Sequence, residues 1–438
     1  MAFPTIDKSL ALWERSQGLI PGKGSLLAKA PGQWSEGVAP IYAARGEGAH
    51  LWDVDGNEYV DLLMACGPVT LGYKDPDVDA AVRAQLERGM NFSLLSPLEV
   101  EVSERVRDIV PHAENVRFSK TGADATSAAV RVARAHTGRN KILCCGYHGW
   151  HDWYITVTDR NAGIPAVASE LTFTFAYNDL SSLEAAISDE FAAVIMEPTI
   201  FDAPASGFLE GVRELCDRHG TLLIFDEMWT GFRLSLGGGQ EKYGVRADLC
   251  TFSKAVANGM PLSIITGSAD VMKVLERDVF FYTTFGGEAM SLAACKATLD
   301  KMKRTNAVEV ANQKGQRLKD GFNAIAEKLD MPWATCVGYP SRAICKLSVP
   351  NGVEGVQPLE MKTYLQQELL PLGILWSGFH NVPYALTDAD IDQVLAGYEH
   401  ALPKLREAVH SGDVKRRLKG KTLEGVFRRV GNAPPVRK

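Results

Sequence analysis

Asp226 and Glu227 close an apolar run, Leu222-Leu223-Ile224-Phe225, that reads as a buried strand. A carboxylate at the end of such a strand stands where open α/β sheets bind their ligands. A Gly-rich loop follows, then a second apolar run from Leu249 to Phe252, then Ser253-Lys254 ahead of the small-residue turn "AVANGMP". An acid at a strand end and a lysine on a glycine-bounded loop suit pyridoxal 5'-phosphate (PLP). This cofactor needs an amine for its Schiff base and an acid beside its pyridine nitrogen. The acid keeps that nitrogen protonated, so the ring draws electrons from a carbanion. The lysine then moves the proton. Taken singly, each residue reads better as ordinary, an Asp capping a helix and a surface Lys. The spacing and the flanking sequence reverse that weighting.

The surrounding elements have the right order to position this pair. "ENVRFSKTGADATSAAVRVARAHTG" reads as strand, Gly turn and helix, with Val116 and Phe118 in the strand and Gly138 just past the helix end. "NKILCCGYHGW" is the next strand and loop, and "EFAAVIMEP" a buried strand ending at Glu197-Pro198. "GFLEGVRELCDRHG" is an amphipathic helix closed by Gly220, and "LSIITGS" a strand after Pro261. Strands alternating with helices of this length predict an α/β fold with a mostly parallel sheet.

Upstream, an arm leads to a hairpin about Asp55-Gly56, then a helix from Asp75-Pro76 and another from Ser96, with Glu99 three residues on. Downstream, a helix from about Val308 to Leu329 leads to a strand in "SRAICKLSV" and helices in "LEMKTYLQQELLPLG" and "ADIDQVLAGYEHALPKL". The expected division is an arm and part of a small domain over 1–110, a large domain over 111–305, and a linking helix with the C-terminal small domain over 306–438.

Composition narrows the function classes. The chain has 438 residues, 46% hydrophobic and 23% charged, enough for a large core. A net charge of −6 gives no support for nucleic-acid binding. The basic tail from Val414 to Lys438 reads as a solvated or subunit-packing extension. The eight cysteines lack any C-x-x-C pair, which predicts free, mostly buried thiols in a reducing compartment, and no metal-ligand spacing stands out. No signal peptide and no apolar run of membrane-spanning length are evident, so a cytoplasmic location is expected. No G-x-G-x-x-G follows a strand, which disfavours a nicotinamide dehydrogenase.

The motifs "IFDEMWTGFR", "TFSKAVANGMP", "KTGADAT", "GYHGWHD" and "MEP", in that company and order, resemble the class III PLP-dependent aminotransferases of fold type I. The nearest branch is the glutamate-1-semialdehyde aminomutase-like group, and the resemblance runs from about Tyr42 to Tyr398. It implies a large domain with a mostly parallel sheet and a smaller α+β domain built from the N-terminal arm and the C-terminal segment. It implies that Lys254 forms the Schiff base and shuttles the proton, and that Asp226 pairs with the pyridine nitrogen. It places Met228 on the ring face, Tyr147 stacked on the ring, Glu197 near the ring hydroxyl, and Thr121, Gly122 and Ala123 at the phosphate. It implies a homodimer with shared sites, in which Thr284 reaches the phosphate of the neighbouring subunit. His148 reads as a structural or loop histidine.

Departures from the aminomutase fall where substrate would lie. "WSEGVAPIYAARGEG" lacks the family's substrate-binding arginine stretch, Cys66 stands where a tryptophan is usual, and Glu288 where an Asn is common. Ala123 stands where the family has Thr or Ser, removing one side-chain phosphate contact. Candidate substrate-side residues are Trp34, Tyr42, Trp150, Arg233, Glu288, His380 and Asn381. The expected activity is transfer of an amino group from an amino-acid donor, by family habit glutamate, to a ketone or aldehyde such as a sugar or another secondary metabolite. The alternatives are an intramolecular aminomutase and a PLP-binding protein without catalysis.

Overall fold

A computed structural model describes residues 3–425. It forms two compact units, one from the described residues of Met1–Asp75 and Glu309–Val426, the other from Pro76–Val308.

The second unit is built on a seven-stranded sheet. Its elements in chain order are α1 (Pro76–Leu86), α2 (Pro97–Ile109), β1 (Asn115–Ser119), α3 (Gly122–Thr137), β2 (Lys141–Cys145), β3 (Thr172–Thr174), β4 (Phe191–Met196), α4 (Phe208–His219), β5 (Leu222–Asp226), β6 (Leu249–Phe252), β7 (Ser263–Gly267) and α5 (Ala289–Thr305). The spatial order is β1-β7-β6-β5-β4-β2-β3. Neighbours from β6 to β3 pair in parallel, while β7 is antiparallel to both β6 and β1. The reason for the reversal is the short connection from Phe252 to Ser263, which is less than a parallel crossover needs. Every residue of β4, β6 and β7 is buried, as expected of strands covered on both faces.

The helices carry the end signals legible in the sequence. Ser96 caps α2 in a capping box with Glu99, and Gly138 and Gly220 end α3 and α4 in the left-handed conformation. The first two helices lie in this unit, although the expected boundary at residue 110 put them with the arm. Charge pairing to α5 helps to hold them there: Arg105 meets Asp300 at 2.7 Å and Arg304 meets Asp77 at 2.6 Å.

The first unit joins the two ends of the chain. Ala43–Glu47, His50–Asp53 and Glu58–Asp61 form a meander, to which Ile374–Leu375 adds in parallel. The hairpin turns at Asp55-Gly56, where Gly56 has φ +97°. A second sheet pairs Ala334–Tyr339, Arg342–Leu347 and Phe379–Asn381. Its core includes Phe322, Trp376, Leu365, Tyr398 and Leu402, from the long helices and the strands between them. Of the basic tail, Val414 is buried, Lys421 pairs with Glu36 at 2.7 Å, and the Leu423 N–H donates to Thr363, so this part is packed. Residues 426–438 lie outside the described residues.

Replacing Ser96 by Ala removes the bond that its hydroxyl accepts from the Leu98 N–H at α2, while the Ser96 N–H still donates to Glu99. The expected loss is about 1 kcal/mol, read as a lower urea midpoint at unchanged m-value.

Candidate active site

Because β1, β2, β4, β5 and β6 run the same way, their carboxyl ends share one edge of the sheet. The predicted residues follow those ends one by one. Thr121 comes two residues after β1, Tyr147 two after β2, Glu197 directly after β4, Asp226 ends β5, and Lys254 comes two after β6. This is the edge on which open α/β sheets bind ligands.

Asp226 has no exposed surface. Its Oδ2 lies 2.7 Å from His148 Nδ1, and its Oδ1 accepts the Met228 N–H at 3.0 Å. His148 is itself buried, with Tyr154 and Trp153 against its ring. The sequence reading placed this histidine in a loop with a structural role. The structure makes it the direct partner of Asp226.

Glu197 braces two loops. Its Oε1 accepts the Tyr147 N–H at 2.7 Å and its Oε2 accepts Trp229 Nε1 at 2.6 Å. The backbone beneath Tyr147 is tightly packed, since a Cβ on Gly149 (φ +101°) would sit 2.8 Å from Ala123 Cβ. The Tyr147 ring is half-exposed and stands edge-on to Tyr154. Burial, and then the Asp226 carboxylate, hold its phenol above the usual range.

At the start of α3, Thr121 and Asp124 form a capping box: Thr121 Oγ1 accepts the Asp124 N–H, and Asp124 Oδ2 accepts the Thr121 N–H. Asp124 therefore takes up one of the N–H groups at this turn. Among the described residues, the N–H groups of Gly122 and Ala123 have no protein acceptor. A Cβ on Gly122 would meet Met228 Sδ at 2.7 Å, so a larger residue there requires the Met228 side chain to shift. Two unspent donors at the start of a sixteen-residue helix fit a phosphate. Lys254 has φ +43°, an uncommon conformation for a long side chain and one associated with functional sites. The unspent donors, the buried acid and the half-exposed tyrosine and lysine along one sheet edge fit PLP.

The substrate-side expectations divide. Trp150 is exposed and Tyr42 half-buried, its N–H donating to Ser9. Thr284 is exposed in the segment Phe280 to Phe285. The other five are buried or engaged with the protein's own groups. Trp34 is packed among Val38, Tyr59 and Leu375 in the first unit. His380 is fully buried against Tyr398, and Asn381 donates to the Leu63 carbonyl. Glu288 caps α5 and pairs with Lys120 at 2.8 Å, so its carboxylate is already engaged. Arg233 is likewise buried, at 3% exposure.

Residues 33–402 match the sequence profile of the class III aminotransferases. The chain is 34% identical to the 3-aminobutyryl-CoA aminotransferase of Cloacimonas acidaminovorans, over 92% of this chain and 98% of that one. It is 38% identical to the glutamate-1-semialdehyde 2,1-aminomutase of Methanothrix thermoacetophila, over 75% of this chain and 80% of the relative. In structure it resembles the PLP-bound FumI protein of Sphingopyxis sp. MTA144, with a TM-score of 0.85, 28% identity, and 92% and 98% of the two chains covered.

Glu227, next to the buried acid, gives the site a pH signature. Burial pushes its carboxyl from 4.5 up to about 7, against the lowering effect of hydrogen bonds from Thr230, Gly239 and Gln240. The folded state thus holds this proton more tightly than the unfolded chain. The group's contribution to stability is complete below about pH 4.5 and is lost as the pH rises through about 7. In Glu227→Gln, the stability lost across that window should be smaller by roughly 3 kcal/mol than in the wild type. Urea midpoints between pH 4.5 and 8 check this, and parallel curves for the two proteins would overturn it.

Proposed function

The chain belongs to the class III aminotransferases, PLP-dependent enzymes of fold type I, and we propose that it transfers an amino group from glutamate to a ketone or aldehyde, with Lys254 and Asp226 as its catalytic residues. The observation that carries this reading is the placement of Thr121, Tyr147, Glu197, Asp226 and Lys254 after five like-directed strands at one edge of the sheet.

When bound, the cofactor draws electrons from the substrate carbon and stores the amino group between the half-reactions. Lys254 supplies the amine that holds the cofactor and the base that moves the proton at the reacting carbon. Asp226 would pair with the pyridine nitrogen, and His148 and the Met228 N–H fix the orientation of its carboxylate. The Gly122 and Ala123 N–H groups, with Thr121, would hold the phosphate. Tyr147 and Met228 would hold the ring. Glu197 orients Tyr147 and Trp229 through both of its oxygens. For the acceptor we propose a carbonyl compound other than glutamate-1-semialdehyde, because the arm lacks the arginine stretch of the aminomutase.

A second reading, an intramolecular aminomutase, is favoured by the 38% identical relative. It differs in needing no separate donor and releasing no oxo acid.

We further propose a cytoplasmic homodimer with shared sites. All eight cysteines are free, as in a reducing compartment. Leu94, Leu95, Phe280, Tyr282 and Phe285 are exposed apolar residues. Asn91 Nδ2 donates to the Thr284 carbonyl and the Ala289 N–H to the Met90 carbonyl, so the two segments form one patch. Such a patch calls for a partner, and a second copy would bring Thr284 to the neighbouring phosphate.

Glutamate added to the purified protein should shift the cofactor absorbance to shorter wavelength and release one equivalent of 2-oxoglutarate. Turnover without oxo-acid release would favour the mutase. Lys254→Ala should lose activity by at least roughly 10²–10⁴-fold, and retained activity would sink its assignment.

A mixed dimer tests the shared site. Lys254→Ala and Thr284→Ala chains, co-expressed and assayed at limiting cofactor, should regain roughly half of wild-type activity per mixed dimer, because one site then carries both substitutions and the other neither. Activity no higher than that of the two parent variants would overturn the sharing.

A further inference from the structure

Three soft donors meet in the core of the first unit. Cys336 on Ala334–Tyr339 stands directly opposite Cys345 on Arg342–Leu347. Neither closes a ladder bond with the other: the Cys336 N–H donates to Asn323 Oδ1 at 2.7 Å, its carbonyl accepts Asn323 Nδ2 at 2.9 Å, and the Cys345 N–H donates to the Gly378 carbonyl at 2.9 Å. This is the closer kind of antiparallel pair, with Cα atoms about 4.5 Å apart and both side chains on one face. His380 on Phe379–Asn381 pairs with Ala343, two residues before Cys345, so strand alternation sends its ring to that same face.

The three ligand atoms lie within 4.8 Å of one another. Cys336 Sγ is 3.7 Å from His380 Nδ1, and Cys345 Sγ is 3.7 Å from Nε2. Sulfur and nitrogen bound to one zinc, at about 2.3 and 2.0–2.1 Å, stand roughly 3.5–3.8 Å apart, which is the spacing of Cys336 Sγ and Nδ1, with Cys345 Sγ within 4.8 Å of both ligand atoms. The Tyr398 hydroxyl lies 2.6 Å from Nε2. With the Nε2 proton donated to that hydroxyl, the Nδ1 lone pair faces Cys336. A ligating imidazole is commonly fixed in this way, through its other nitrogen.

The surroundings select the ion. His380 and Tyr398 are 0% exposed, Cys336 1% and Cys345 7%. A divalent cation with two thiolates brings no net charge into this interior, whereas a univalent one leaves a buried negative charge. Thiolate and imidazole donors favour zinc over magnesium or calcium. Cys336 also lines a surface pocket of about 380 Å³, which offers a route in.

We propose that Cys336, Cys345 and His380 bind one Zn²⁺, a structural site that ties the three strands of the second sheet together. Neither the spacing in the sequence nor the PLP chemistry calls for it.

The test uses the full-length, PLP-loaded chain, kept reduced and freed of metal with a chelator. Zn²⁺ titrated against a chromophoric chelator should bind at one ion per chain with submicromolar affinity and raise the thermal midpoint. Cd²⁺ should give a thiolate charge-transfer band in the ultraviolet. Cys336→Ser and Cys345→Ser should abolish the stoichiometric binding, and Tyr398→Phe should weaken it roughly 10–100-fold. The cadmium band reads the thiolates on the unsubstituted chain, so misfolding of a serine variant does not blunt the test. Three results would each overturn the proposal. These are no stoichiometric zinc and no cadmium band, binding that survives in both cysteine variants, or a Cys336–Cys345 disulfide in protein isolated without reductant that no added metal displaces.

Discussion

The structure of the second unit depends on keeping one carboxylate out of water and still hydrogen-bonded. Asp226 is completely buried at the end of the central strand, where an unpartnered carboxylate would be strongly disfavoured. Two partners offset that penalty, the His148 ring and the Met228 N–H, and each lies on a loop that begins where a strand stops. The loop bearing His148 is held by its own neighbours: the Thr126 hydroxyl donates to the His148 carbonyl and Tyr154 to the Gly146 carbonyl. The buried acid thus fixes the relative register of β2 and β5 at their carboxyl ends, where the chemistry of the fold is located.

A second layer of carboxylates repeats the device. Glu197 joins the loops after β2 and β5 through Tyr147 and Trp229. Glu227 accepts from Thr230 and from the Gly239 N–H, pinning the Gly-rich loop that leads to β6 and Lys254. Three strand-end acids therefore hold the loops, and each spends both of its oxygens on the protein's own groups.

How far the sequence could be read follows the range of the interactions. The parallel strands, the helix from Ser96 and the closing glycines of α3 and α4 are local patterns, visible as apolar runs, capping boxes and a Gly at the right offset. The antiparallel β7 was hidden because a buried strand reads the same in either direction. The strand ends ahead of Asp226 and Lys254 were legible as short apolar runs. The His148–Asp226 contact was not, since it joins residues 78 positions apart whose strands, β2 and β5, are separated in the sheet by β4.

The substrate-side expectations show the same limit from the other side. Trp34, His380 and Asn381 suit a substrate by type, as an aromatic, an imidazole and an amide. Type does not reveal whether a polar group is already satisfied. Asn381 is used by the Leu63 carbonyl, His380 by Tyr398 and the two thiols, and Glu288 by Lys120 and the first turn of α5. A buried polar side chain with its partners in place builds the fold, because breaking those bonds to meet a substrate would leave donors or acceptors unmatched. Tyr147 and Trp150, by contrast, keep exposed surface.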